Sequence, residues 1–220
     1  ACDPTSAFGG IIAFNHPVDE SLMQHILGQQ FVEVLIAPDF SKEALVLASE
    51  KPLCRVLQYR QQPTSTIVTM EIKSVNGGIL IQSRDHDHTA QFTVVTKHQP
   101  SKAQMADLKF GWDIAKFVKS NAIVFVKNGQ TLGIGAGQMS RIVSTEIAAW
   151  QAEKHNFPMQ DAIMASDAFF PFIDNIQAAH ALGIKAIIQP GGSKRDNEVI
   201  ACANDLGIAM IFTGVRHFRH

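Results

Sequence analysis

The chain has 220 residues, 46 % of them hydrophobic and 18 % charged, enough for one large domain or two small ones with a sizeable core, and this excludes a disordered chain. Its 19 Lys and Arg stand against 20 Asp and Glu for a net charge of -1, which excludes a nucleic-acid coat or a polybasic membrane patch and leaves room only for a local cation cluster that binds a small anion. Cys2, Cys54 and Cys202 are far apart and form no C-x-x-C, so neither a zinc knuckle nor a disulfide framework is expected, and a reducing cytosol is the natural compartment.

In chain order, the sequence opens at Ala1-Cys2-Asp3-Pro4 without Met and turns apolar within a dozen residues, which reads as a longer chain cut in its middle. Residues 9–14 (GGIIAF) form a short β-like run. Over 18–30, Val18, Leu22, Ile26 and Leu27 recur at helical spacing. Residues 31–37 (FVEVLIA) read as a strand stopped by Pro38, and Ser41 as the N-cap of a helix over 42–49. A strand over 54–59 leads into 61–66 (QQPTST), the most linker-like stretch. The expected boundary near residue 65 gives two parts, 1–65 and 66–220. Strands over 67–73 and 78–84 flank Asn76-Gly77-Gly78, a strong turn signal.

Ser101 then starts a long helix with Met105, Leu108, Trp112, Ala115 and Phe117 on its apolar side. Strands over 122–126 and 131–134 join at Asn128-Gly129, and a helix over 140–155 follows. A buried strand over 162–165 precedes a helix over 174–182, closed by Gly183. The strand over 184–188 ends in Pro190-Gly191-Gly192; Ser193 is expected to cap the helix running to Leu206, Gly207 to close it, and 208–212 to form the last strand. Strands alternating with helices of this length imply an α/β fold with layered α/β/α packing around a buried sheet. No apolar run is long enough to span a bilayer, and no signal peptide precedes the first motif.

Several stretches have chemistry in them. Gly133-Ile134-Gly135-Ala136-Gly137 sits between a strand and a helix but reads G-x-G-x-G; a dinucleotide site needs G-x-G-x-x-G and an acid about twenty positions on. Asp161 lies 24 residues beyond Gly137 and heads a strand, so a tight turn is the better reading. Arg141, in the first turn of the next helix, is suited to a forked contact with a phosphate or carboxylate. Residues 189–196 (QPGGSKRD) offer a second junction with cations at a helix start, where a Gly-rich turn is favoured over an anion site. In 165–172 (ASDAFFPF), three Phe around a Pro cannot all point inward from one strand, so some line a groove or interface. The tail Arg216-His217-Phe218-Arg219-His220 follows the last strand so closely that it is expected to dock, with Arg216, Phe218 and His220 on one side. Asp85-His86-Asp87-His88 has metal-ligand residue types at no standard zinc spacing and reads as a polar loop.

Six ordered motifs, 3–14 (DPTSAFGGIIAF), 119–124 (KSNAIV), 133–141 (GIGAGQMSR), 166–172 (SDAFFPF), 189–193 (QPGGS) and 216–220 (RHFRH), closely resemble the bacterial AICAR transformylase/IMP cyclohydrolase family, over essentially the whole chain. The resemblance implies two related units of cytidine-deaminase-like transformylase fold without the deaminase zinc. By that likeness 1–65 is the end of the first subdomain and 66–220 the second with its docked C-terminal tail. It implies transfer of a formyl group from 10-formyltetrahydrofolate to AICAR in de novo IMP synthesis, in the cytoplasm, at sites formed across a homodimer interface. Nucleic acid and membrane are not expected partners.

Carried over by motif, the substrate-binding residues are Asn121 for the AICAR carboxamide, Arg141 and Arg216 for the nucleotide, and Phe169, Phe218 and His220 around it. Phe8, Gly9, Glu33, Ile142, Pro171 and Asn175 resemble the folate-binding set, Glu33 facing the pterin, and Asp167 sits where relatives help bind a structural potassium ion. The family's catalytic Lys-His pair belongs to a V-K-H-x-N-P-C-G segment expected upstream of Ala1. The two Lys-His pairs here, Lys97-His98 in VVTKHQP and Lys154-His155 in AEKHNFP, do not match it. The cyclohydrolase domain is absent as well, so these 220 residues alone are expected to be inactive. A non-catalytic nucleotide-binding or dimerisation module of the same fold is the alternative.

Overall fold

A computed structural model describes residues 3, 5–59, 70–85 and 90–219. The chain forms two compact units, one of residues 4–84 and one of residues 1–3 with 85–220. The boundary expected near residue 65, like the His86 and His88 of the polar loop and His220 of the tail, lies outside the described residues.

In the smaller unit, β1 (Gly10–Ala13), α1 (Glu20–Gln29), β2 (Val32–Ala37), α2 (Lys42–Ser49) and β3 (Arg55–Gln58) alternate. The strands pair in parallel in the order β1-β2-β3, as βα crossovers require. Both helices begin on side-chain caps, the Asp19 carboxylate accepting from Leu22 N at 2.9 Å and Ser41 Oγ from Ala44 N at 3.1 Å. The helix expected from Val18 begins later, because Val18 is fully buried and pairs as a parallel bridge with Phe40. Val32, Leu35 and Ala37 pack with Met23, Ile26 and Ala44 on the helix side. Ile11 and Leu57 remain exposed. The hairpin of β4 (Met70–Val75) and β5 (Gly78–Ser83) closes at Asn76-Gly77, where Gly77 takes a φ of 80°.

The larger unit is built on a six-stranded mixed sheet. Its elements in chain order are β6 (Thr93–Val94), α3 (Lys102–Ala115), β7 (Ile123–Lys127), β8 (Gln130–Gly135), α4 (Arg141–Lys154), β9 (Ile163–Ser166), α5 (Asp174–Ala181), β10 (Ala186–Gln189), α6 (Asp196–Asp205) and β11 (Ala209–Phe212). The strand order is β6-β11-β10-β9-β7-β8. Strands β9, β10 and β11 are mutually parallel, whereas β7 runs antiparallel to β9 and β8, and β6 antiparallel to β11. Side chains alternate across the sheet with the strand period of two. Ile123, Phe125, Met164, Ile187 and Met210 pack with α4, α5 and α6. Val124, Val126, Ile163, Ala165 and Ile188 pack with Leu108, Trp112 and Ala115 of α3. The result is a layer of three helices, the sheet, and a single helix, which is the expected α/β layering.

Helix α3 starts with a capping box, Ser101 Oγ accepting from Gln104 N and the Gln104 side chain from Ser101 N. It ends at Ala115, so Phe117 falls outside it and is 67 % exposed rather than on its apolar side. Ser193 does not cap α6. The N-cap is Arg195, and the Asp196 carboxylate reaches back to accept from Gly192 N at 2.7 Å and Ser193 N at 3.1 Å. Ser193 Oγ accepts instead from Arg195 N at 3.1 Å, one residue ahead of the helix, and the Asp196 carboxylate sits at the positive end of the helix.

Candidate functional site

The strand directions decide where the larger unit gathers its polar groups. Ile123 opens β7 opposite Ser166, the last residue of β9, and also opposite Gly135, the end of β8. The start of β7 therefore lies beside the carboxyl ends of β8 and β9, and parallel β10 and β11 finish at the same edge. Open α/β sheets bind ligands in the crevice outside the carboxyl ends of their strands.

Arg141, Asn121, Asp167 and Phe169 meet at this edge. Arg141 Nη2 donates to Asn121 Oδ1 and to Asp167 Oδ1, both at 2.9 Å, and Nη1 to the Phe169 carbonyl at 3.4 Å. Asp167 is fully buried and the Arg141 side chain is 11 % exposed, so this ion pair has little solvent screening. Among the described residues, Arg141 Nε and Asp167 Oδ2 are buried without a hydrogen-bond partner. Asn121 donates from Nδ2 to the Gln138 carbonyl at 2.8 Å, and its own carbonyl accepts from Ser144 Oγ at 2.8 Å. The bond from Arg141 fixes which end of the Asn121 amide is the acceptor. One Nδ2 hydrogen and one oxygen lone pair are left for a ligand. The Ser120–Asn121 peptide bond is cis.

The tail docks on the same edge. Ser120 N donates to the Arg219 carbonyl at 2.9 Å, Arg219 N donates to Ser120 Oγ at 3.0 Å, and His217 N donates to the Asp167 carbonyl at 2.9 Å. Arg216 is exposed, its guanidinium 5.8 Å from the Phe169 ring centroid and 5.7 Å from that of Phe218. Among the described residues no carboxylate forms an ion pair with it, in contrast to Arg141 and Arg195. Two cationic side chains of one edge thus differ in kind. Arg141 is neutralised and structural in its contacts, whereas Arg216 presents an uncompensated charge to solvent, held over aromatic faces.

The aromatic run divides as its spacing requires: Phe170 is fully buried in the core, Phe169 is half-buried, and Phe172 is 52 % exposed beneath the Arg195 guanidinium. Pro171 is half-buried and Ile142 half-buried in the first turn of α4. Asn175 is buried in α5, where its Oδ1 accepts from Thr145 Oγ1 at 2.8 Å and its Nδ2 donates to Asp174. Those bonds commit most of its amide to the protein. In the smaller unit, Phe8 is 73 % exposed and tilts over Phe31 at 5.4 Å. Gly9 has a φ of 74°, and a Cβ on it would lie 3.4 Å from Glu33 Oε1. Phe8, Gly9 and the exposed Glu33 are therefore neighbours within that unit.

The glycine motifs have packing explanations. A Cβ at Gly133 would collide with the Ala148 carbonyl and one at Gly135 with the Ser144 carbonyl. Both glycines lie within β8 and let α4 pack directly on it, so close packing explains them. Only Gly137, with a φ of 68°, has the turn conformation expected of this stretch. At 189–196 the amides that an anion would need are taken by Asp196, and Arg195 is paired with Glu198. Lys97-His98 lies at the other end of the sheet. Val95 N donates to the Met210 carbonyl and Val94 pairs with Ile211, so the antiparallel β6 carries the chain toward the amino end of β11. No group of three or more His, Cys, Asp or Glu suited to a metal ion occurs among the described residues. Burial pushes the Cys54 and Cys202 thiols up, which disfavours the thiolate.

Asp85 and His217 were not legible as partners, since 132 residues separate them. Their residue types alone, in a polar loop and a basic tail, gave no sign of the pairing.

Comparison with known proteins bears on the same segments. The profile of the AICARFT/IMPCHase bienzyme family matches residues 1–151. The bifunctional purine biosynthesis protein PurH of Xylella fastidiosa (strain 9a5c) is 55 % identical over 222 residues, which cover all of this chain and 42 % of that protein. PurH of Xanthomonas campestris pv. campestris (strain 8004) is 54 % identical with the same coverage. The chain thus spans 42 % of the length of these relatives. Both the Asn121–Arg141 segment and the β1–β2 unit fall inside the matched region, and on that match the chain belongs to the AICARFT/IMPCHase bienzyme family.

Proposed function

We propose that the protein carrying this chain transfers a formyl group from 10-formyltetrahydrofolate to AICAR in purine synthesis, and that the sheet edge of the larger unit holds the ribotide. The observation that carries this reading is Arg216: an exposed guanidinium with no carboxylate partner among the described residues, set over Phe169 and Phe218 on the sheet edge that also carries Asn121. A ribotide presents a dianionic phosphate and a flat heterocycle with a carboxamide. Arg216 supplies the phosphate contact, Phe169 and Pro171 wall the pocket, and the remaining Asn121 donor and acceptor match a carboxamide. Phe218 adds to this wall from the tail, and His220 is assigned to the same substrate by the family likeness alone.

Folate is assigned to Phe8, Gly9 and Glu33, whose carboxylate suits the 2-amino-4-oxo edge of a pterin, together with Ile142, Pro171 and Asn175. The buried commitments of Asn175 make it the weakest donor of that set. Asp167 Oδ2, buried and without a partner, suits one oxygen of a potassium site. The two parts of the chain are proposed to be related subdomains of cytidine-deaminase-like fold, divided near residue 65, in a cytoplasmic homodimer. Among the described residues no helix is long and apolar enough to cross a membrane.

Formyl transfer asks a weak amine to attack a carbonyl, and needs a base near neutrality and stabilisation of the tetrahedral oxyanion. Among the described residues assigned to the ribotide, Asn121, Phe169, Pro171 and Arg216 bind and orient and none is a general base, and Lys154-His155 lies at the far end of α4 from Arg141. Lys97-His98 is at the opposite end of β11. The 220 residues contain no V-K-H-x-N-P-C-G segment. General acid–base help is worth about 10²–10⁴-fold, so these residues by themselves are proposed to bind without useful turnover.

Calorimetric titration with AICAR and with a folate analogue tests the assignment. Arg216→Ala should weaken AICAR by about tenfold or more, as expected for loss of a charged hydrogen bond worth ~1.5–3 kcal/mol, and leave the folate analogue within about twofold. Equal losses for both ligands would overturn it.

A further inference from the structure

Within the exposed tail, His217 is the exception. It is 2 % exposed, while Arg216, Phe218 and Arg219 on either side face solvent. Its ring lies 4.4 Å from Trp112 of α3, and its Nδ1 is 2.6 Å from Asp85 Oδ2. The other Asp85 oxygen is 4.0 Å from Lys116 Nζ. A carboxylate only accepts, so Nδ1 carries the hydrogen and donates, which fixes the tautomer and the ring orientation.

We propose that Asp85 and His217, with the Trp112 ring tilted against the imidazole, form a clamp that positions Arg216. Successive side chains of an extended segment point to opposite sides. Seating His217 in the cleft therefore turns Arg216 and Phe218 outward together, and puts the guanidinium between the rings of Phe169 and Phe218. Beyond the clamp, bonds between Ser120 and Arg219 and from His217 N to the Asp167 carbonyl also tie the tail to the sheet edge. A long Arg side chain loses much rotamer freedom when it is held, so an unanchored Arg216 would lose affinity without losing any atom. The proposal rests on Arg216 being the phosphate ligand, and it makes His217 and Asp85 positioning residues rather than ligands.

The test uses the full-length gene product and two probes, AICAR and its nucleoside, which lacks the phosphate. Asp85→Ala and His217→Phe, the latter keeping an aromatic ring on Trp112, should each weaken AICAR about five- to tenfold, leave the nucleoside unchanged, and add less than about twofold in an Arg216→Ala background. Hydrogen exchange of the peptide spanning 214–219 should speed up in Asp85→Ala while peptides of α3 and β7 stay as they were. Wild-type affinity for AICAR in both variants would overturn the clamp, as would equal losses on the nucleoside or in the Arg216→Ala background. If the unsubstituted protein does not bind AICAR, the ribotide reading fails, and unchanged exchange in Asp85→Ala still overturns the clamp on its own.

Discussion

Arg141 and Arg216 illustrate how far a residue type can be read before its neighbours are known. Both stand out in the sequence as candidate anion ligands. The structure spends Arg141 on Asp167, Asn121 and Phe169 and leaves Arg216 without a counter-charge among the described residues. Nothing local in the sequence separates them, because the partner of Arg141 lies 26 residues away on another strand. Removing the Asp167 carboxylate leaves the Arg141 side chain, only 11 % exposed, without its ion partner. Breaking one side of a buried pair typically costs about 3–5 kcal/mol. Asp167→Ala should therefore lower the unfolding free energy by about that amount in a denaturant titration. A loss below about 1 kcal/mol would mean that the pair is solvated in solution.

At the scale of elements, capping and turn chemistry made most of the fold legible. Ser41 and Ser101 cap the helices they were expected to cap, and Asn76-Gly77 and Asn128-Gly129 turn their hairpins. Ser193 does not cap because the helix starts only at Asp196: its Oγ accepts from Arg195 N at 3.1 Å, before the first helical residue. Val18 failed as a helix residue because a buried bridge to Phe40 competes for its backbone. The two-residue β6 carries no periodic signal of its own and exists only through pairing with β11. The glycines before α4 have the clearest element-scale consequence. A methyl at Gly135 has only the Ser144 carbonyl to displace, and forcing extra volume into a packed site costs about 1–3 kcal/mol or more. Gly135→Ala should lower the melting temperature and, by pushing α4 off β8, shift Arg141. Gly129→Ala gives the comparison, since a Cβ there meets nothing within 4 Å and only its φ of 70° is strained. If the two variants lost the same stability, close packing of α4 on β8 would not be the reason for Gly135.

For the molecule as a whole, the decisive feature is strand direction. Parallel β9, β10 and β11 end where antiparallel β7 begins. That single arrangement brings Asn121, Arg141, Asp167 with Phe169, and Arg216 to one edge from four places along the chain. Composition and alternation of strands with helices gave the α/β class and the layering. They gave neither the reversed direction of β7 nor the edge on which the tail would dock, because both depend on pairing between distant segments. The smaller unit has its own parallel sheet with both helices packed in one core, and within it Phe8, Gly9 and Glu33 come together. The central claim is that the sheet edge of the larger unit is a ribotide site, and a crystal structure of the full-length gene product soaked with AICAR tests it most directly. The phosphate should lie within hydrogen-bond distance of Arg216, the heterocycle against Phe169 and the carboxamide on Asn121. AICAR bound elsewhere, with Arg216 and Asn121 facing only solvent, would contradict the account.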